Sequence, residues 1–403
     1  MNTSTIRQVS STASQGMAAL IAALVMAVGM GFGRFAFTGI YPVMVSDAVL
    51  TVHQGTLAAS ANYAGYLAGA LLTAAVHPRH SRRLCMLALA GIVVCLGVTA
   101  LLNAPWLIIA MRGITGAVSA VTMVAASLWL LQHRGHAGGA PLLYAGVGMG
   151  IVLSSEMLVA GRAFNLHSAG LWGVLAAGAL ILGAIALPSL DARPVDASGT
   201  RATVHGHESF PALGAGPLIA LYGLAGFGYI ITATYLPFFV RNALGSVNPI
   251  QVWALFGLGA VPSCFIWHAL HMRLGTRRAL FLNLALQAVG VILPVVSPNP
   301  AGYLGSALIV GGTFMGTTTI SMLAARRVAH TMRMSILAVM TACFGIGQIV
   351  GPLVANAMYA PHHSFSGSLE TAAAALGVAA LFCIRLGKPE RSHADKNRNK
   401  MHA

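Results

Sequence analysis

Apolar residues fall along this chain in long blocks separated by short polar breaks. A block of about 20 apolar residues matches one bilayer crossing as a helix. Six blocks come first, at Met17–Val45, Gly55–His77, Leu84–Leu102, Pro105–Leu131, Ala140–Ala160 and Ala169–Leu187. The polar stretch "SLDARPVDASGTRATVHGHESFP" follows, and then six more: Leu213–Val240, Gln251–Leu270, Ala279–Val296, Ala301–Ala325, Met334–Tyr359 and Leu369–Ile384. The pattern predicts an all-α polytopic membrane protein with twelve transmembrane helices. It divides into a six-helix bundle over 1–188, a linker over 189–211, a second bundle over 212–387 and a basic tail over 388–403. The leading "MNTSTIRQVSSTASQG" is polar, and the apolar run behind it exceeds a signal-peptide core, so an uncleaved first helix is expected.

Composition agrees with the blocks. The 403 residues are 57% hydrophobic and only 8% charged, against about 25% charged in soluble domains. A net charge of +15 raises nucleic-acid binding as a reading, but basic residues in such chains mark cytoplasmic loops. With both termini inside, 19 of the 23 Lys and Arg fall on cytoplasmic segments, and only Arg162 and Arg241 fall outside. Arg34 and Arg112 remain, within the blocks. This bias puts both termini in the cytoplasm, and no nucleic acid is expected as a partner. The five cysteines lie in apolar blocks without paired spacing, so neither a disulfide framework nor a metal site is expected.

The halves repeat. "GFGRFAFTGIYPVMV" from Gly31 matches "GFGYIITATYLPFFV" from Gly226, and the same offset of 195 carries "SRR" at Ser81 onto "TRR" at Thr276. Parallel six-span repeats are the architecture of major facilitator transporters, whose substrate site lies between the halves near the midplane.

Several stretches resemble the YbfB/YjiJ-like subfamily of that superfamily: "GFGRFAFTGIYP", "ANYAGYLAGALL", "MRGITGAVSA", "GVGMGI", "GFGYIITATYLP", "GGTFMGTTTISMLAARR" and "FGIGQIVGP". The resemblance covers all twelve blocks. It implies a multi-pass transporter of a bacterial inner membrane, and supplies no substrate. The superfamily's loop G-x-x-x-D-[RK]-x-G-x-[RK]-[RK] survives in part. Its second copy keeps Arg273, Gly275, Arg277 and Arg278 with Met272 in place of the acid, and its first keeps only Arg82 and Arg83, with His77 there. These gating loops therefore lack the family's aspartate. Arg112 and Gly116 fit its fourth-span R-x-x-x-G pattern.

An isolated arginine inside a membrane costs several kcal/mol, roughly 3 on insertion scales, so Arg34 and Arg112 need partners. Glu156 is the one carboxylate well inside a block. At ~1.5 Å per residue, Arg112 and Glu156 both sit about 9 Å outward of centre, and Arg34 about 5 Å. Two readings of an Arg112–Glu156 pair stand: a structural ion pair, or Glu156 as a proton carrier. For Arg34 the readings are backbone capping or snorkelling, or a permanent charge meeting a substrate carboxylate or phosphate. Asn62, Tyr63, Tyr66, Tyr229, Thr232, Thr234, Tyr235 and Gln348 fall on the resembling motifs, and each is a cavity-lining candidate or an interhelical hydrogen bond. Gly65 with Gly69, Gly146 with Gly150, and Gly347 with Gly351 read as close helix packing.

These features favour a monomeric secondary active transporter, proton-coupled and exporting a small anionic or zwitterionic molecule by alternating access, with lipid and substrate as partners and no cofactor. Efflux of apolar or cationic compounds and a non-transporting sensor are the alternatives. An intramembrane enzyme would need H-E-x-x-H, paired aspartates or G-x-S-x-G, none of which occurs, so no catalytic residue is assigned.

Overall fold

The computed structural model describes residues 3–191, 213–240, 248–328, 336–362 and 364–385. Most of the linker, the basic tail, Arg241 and Arg333 lie outside them. Among the described residues there are helices and no strand. The first apolar block is composite: α1 (Thr3–Met26) passes into a π-helical segment (Ala27–Phe35) and then α2 (Ala36–Ser46). There follow α3 (Val52–Thr73), α4 (Ser81–Leu101), α5 (Pro105–Leu128), α6 (Ala140–Ala163) and α7 (Ser168–Ala186). The second half holds α8 (Ala215–Phe239), α9 (Pro249–Val296), α10 (Pro300–Val328), α11 (Ile336–His362) and α12 (Ser366–Arg385).

Among the described residues, ten helices are long and apolar enough to cross a membrane. That is two fewer than the blocks, for two physical reasons. The 48 residues of α9 form one helical run, but Gly275 breaks it with φ 76° and ψ 168°. Glycine reaches that left-handed region at no steric cost, so blocks eight and nine are the two arms of α9. The other is α3, whose "HQGT" and "SANY" dilute its apolar content. Its start is nonetheless well specified: Thr51 Oγ1 accepts from the Gln54 N–H at 3.1 Å, and Gln54 Oε1 accepts from the Thr51 N–H at 2.9 Å, a reciprocal cap that satisfies two helix-end donors.

Glycine sets the helix spacing. A methyl group on Gly65 would lie 1.8 Å from the Gly113 carbonyl oxygen, and one on Gly69 2.4 Å from that of Ala117. So α3 lies against α5 backbone to backbone. Gly146 and Gly150 meet the carbonyls of Ala23 and Ala27 in the same way, and Gly347 meets that of Gly223. The packing read from these glycines is what the structure has.

The first and second halves touch along two helix pairs, α6 with α9 and α3 with α11. Gly148 faces the Gly257 carbonyl, and Ser60 Oγ donates to the Ile349 carbonyl at 3.2 Å. Thr38 Oγ1 donates to the Ala233 carbonyl at 2.8 Å. These two residues are separated by the repeat offset, so α2 and α8 meet at equivalent points.

Asp47, beyond α2, holds the start of α7: its Oδ2 accepts from the Ser168 N–H at 2.6 Å. Burial pushes its carboxyl up, but the Ser168 N–H and the His167 ring outweigh that and hold it below the usual carboxylate range.

Candidate functional site

The π-helical segment is the wide turn that carries Arg34, and neighbouring helices crowd it. A methyl on Gly29 would lie 2.3 Å from Thr122 Cγ2, on Gly31 2.4 Å from Gly150 Cα, and on Gly33 2.6 Å from Ile92 Cδ1. Single π turns inside α-helices often mark functional positions. This one is held by Arg112, whose Nη1 donates to the Gly33 carbonyl at 2.8 Å and Nη2 to the Arg34 carbonyl at 2.9 Å. Asn62 Nδ2 in turn donates to the Arg112 carbonyl at 2.9 Å. The Arg112 guanidinium also lies over Phe37, 4.7 Å from its ring centre.

Two expectations change here. Arg112 does not pair with Glu156: its donors go to backbone carbonyls of the segment beneath it. Glu156 is exposed, on the stripe of α6 that also carries Leu153 and Ala160. Helical rotation is the reason, because the face of α6 that meets the π segment, α1 and α9 is the one with Gly146, Gly150 and Ile151. The structure therefore gives Arg112 the work of holding backbone, and puts Glu156 away from both arginines.

Arg34 is 4% exposed. Its guanidinium carbon lies 4.0 Å from the centre of the Tyr66 ring, 5.1 Å from that of Tyr63 and 5.2 Å from that of Phe35. Its Nε and Nη2 are buried with no hydrogen-bond partner. Those two atoms form one edge of the guanidinium, with parallel N–H bonds. The rings attract the cation from its faces and leave that edge unanswered. A buried unpaired donor is costly, and an edge of two is the fork that matches a carboxylate.

The second half faces this edge region with aromatics and amides. Tyr63 Oη and Thr234 Oγ1 are 2.9 Å apart. Tyr235 Oη lies 2.7 Å from Thr56 Oγ1 and donates to the Pro352 carbonyl at 3.1 Å. Gln348 Nε2 donates to Tyr229 Oη, and Gln348 Oε1 is left buried without a partner. Thr232 Oγ1 is likewise buried and unpaired. Asn62, Tyr63, Tyr229, Thr232, Thr234, Tyr235 and Gln348 are thus all buried and Tyr66 is half-buried, though Asn62 spends its amide on α5.

Sequence reasoning missed the aromatic lining. Phe35 and Phe314 have ring centres 6.0 Å apart, Phe314 and Tyr229 5.5 Å, and Tyr229 and Phe344 5.7 Å. Phe314 lies in "GGTFMGTTT" and Phe344 just before "GIGQ", so the motifs held the signal. Trp253 is a further anchor, its Nε1 donating to the Phe35 carbonyl at 3.0 Å.

The gating-loop residues lie elsewhere. Arg277 Nε and Nη2 donate to the Cys383 and Ile384 carbonyls at 2.9 and 2.8 Å, which ties the second arm of α9 to the end of α12. Arg273 and Arg278 are exposed beside Gly275, and Arg82 and Arg83 are exposed at the start of α4. Arg83 borders an open groove of about 500 Å³ with His77 and His80, remote in sequence and element from the Arg34 cluster. His271 is buried, and its Nε2 lies 3.0 Å from Thr276 Oγ1 across the Gly275 break.

No curated protein matches the chain. The family model described as uncharacterised MFS-type transporter YbfB matches residues 26–384, a stretch that runs from the last residue of α1 nearly to the end of α12. With that match the residues quoted above find their place, and the chain belongs to the YbfB family of MFS-type transporters.

Proposed function

We propose that this member of a transporter family is a secondary active transporter of a small organic anion, working by alternating access between its two halves. The observation that carries the reading is Arg34: a buried guanidinium, ringed by aromatics, with one edge of two donors unpaired. A permanent charge in a low-dielectric site is tolerable when a counter-charge arrives with the cargo. The lysine and arginine bias supports a bacterial inner-membrane location with both termini cytoplasmic. The exposure of Glu156, on the stripe of α6 that carries Leu153 and Ala160, argues against coupling through it. Efflux of cations is disfavoured by the same guanidinium.

The test is thermal unfolding of the purified protein in detergent with a panel of organic anions, cations and neutral compounds, for wild type, Arg34→Gln and Arg34→Lys. A ligand at 100 times its dissociation constant stabilises by about 2.7 kcal/mol. Anions are expected to raise the wild-type Tm, to do less for Arg34→Lys, which keeps charge but not the fork, and to do nothing for Arg34→Gln. Equal stabilisation of wild type and a folded Arg34→Gln protein would sink the reading.

A further inference from the structure

The Arg34 site carries more information than a sign of charge. Resting on the anion reading above, we propose that the substrate is a flat, aromatic monocarboxylate bearing a neutral hydrogen-bond donor away from its carboxylate.

The carboxylate follows from geometry. Tyr66 covers a face of the guanidinium at 4.0 Å, so a ligand reaches Arg34 in the plane of its Nε–Nη2 edge. Two parallel N–H bonds in one plane fit the two oxygens of a carboxylate. The single negative charge follows from what the other arginine does. Arg112 lies close by, but its Nη1 and Nη2 hold the Gly33 and Arg34 carbonyls, so of the two guanidiniums it is Arg34 that presents an edge whose two nitrogens are both unpaired. An ammonium group on the substrate also lacks a seat. The acidic residues of the described helices are Glu156 and Glu370, and both are exposed.

The flat body follows from the walls. Phe35 of the first half, and Phe314, Tyr229 and Phe344 of the second, make a linked set of rings with neighbouring centres 5.5 to 6.0 Å apart. Ring faces of this kind favour another ring, offset or edge-on. The donor follows from Gln348. Its amide nitrogen donates to Tyr229, and its Oε1 is a buried acceptor with nothing to accept. A substrate hydroxyl or amide N–H supplies what it lacks, and a buried acceptor left empty discriminates strongly against analogues without that group.

The experiment uses the full chain in detergent with named probes: benzoate, the three hydroxybenzoate isomers, 4-hydroxybenzamide, cyclohexanecarboxylate and succinate. Dissociation constants are read from the concentration dependence of Tm in wild type, Arg34→Gln and Gln348→Met. One hydroxybenzoate isomer is expected to bind at least tenfold tighter than benzoate, and benzoate tighter than succinate, with no binding of the benzamide. Gln348→Met is expected to erase the hydroxyl preference while leaving benzoate within about twofold. Stabilisation by succinate or cyclohexanecarboxylate through Arg34 that equals the aromatic acids would overturn the substrate class and leave the anion reading standing. A hydroxyl preference that survives in Gln348→Met would overturn the role of Gln348. If no carboxylate binds, or if binding survives in Arg34→Gln, both readings fail together.

Discussion

At the scale of single residues, charge was legible and direction was not. The cost of an arginine in an apolar block marks Arg34 from sequence alone, and its aromatic cage and free edge bear out that it needs explaining. Depth along a helix could also be counted, so Arg112 and Glu156 were placed at one level. Which way each points around its helix depends on neighbours that lie far away in sequence. Gly146 and Gly150 turn one face of α6 to the first span, and Glu156 consequently sits with Leu153 on the exposed stripe. Glu156→Gln is therefore expected to leave ligand affinity and its dependence on pH unchanged within about twofold, read from Tm titrations between pH 5.5 and 8. A shift in that pH profile would restore the carboxylate as a functional group.

At the scale of elements, the glycine pairs and the all-helical, membrane-spanning character came through, while the π segment and the α9 merger did not. Hydrophobic blocks report that a helix crosses, and a π turn has the same composition as an α turn. The crowding around the segment has a measurable consequence. A methyl on Gly31 meets backbone at Gly150, which no side-chain rotation relieves. Gly31→Ala is expected to destabilise by more than the roughly 1–3 kcal/mol usual for overpacking, or to abolish folded protein in size-exclusion chromatography. Gly183→Ala in α7 meets nothing within 4 Å, and is expected to be neutral or to stabilise by up to about 1 kcal/mol through helix propensity. The cap of α7 by Asp47 was also invisible, because the two residues are 121 apart in sequence. Its lowered folded pKa means that its stabilisation is present above the usual carboxylate range and is lost as pH falls through the folded value. Asp47→Ala is expected to cost about 0.5–2 kcal/mol at neutral pH, and its Tm deficit against wild type is expected to shrink on acidification. A deficit constant down to acid pH would contradict the capping role.

At the scale of the whole molecule, the repeat read from "GFG" and its proline has a structural counterpart, since Thr38 and Ala233, one repeat offset apart, meet across the halves. The specific fastenings were out of reach, since any Thr or Tyr in a motif serves equally well as a packing or a lining residue. Tyr235→Phe removes the contacts to Thr56 and to the Pro352 carbonyl. A buried hydrogen bond contributes about 1 kcal/mol net, a factor of roughly 5 in an equilibrium. The variant is expected to speed hydrogen–deuterium exchange at the start of α3 and the end of α8 by a similar factor, and unchanged exchange there would show that these contacts do not hold the halves together.

The rings around Arg34 supply no negative charge to balance its guanidinium. With an anion aboard, the charge of Arg34 is balanced, while that of Arg112 stays with the backbone carbonyls it holds. Without one, each reversal of the carrier drags a full positive charge across whatever share of the membrane voltage separates its two exposures. A complete traversal is worth about 2.3 kcal/mol per 100 mV. In such a cycle the voltage acts on the unladen half, so a cell's potential would set how quickly the carrier comes back rather than how quickly it delivers.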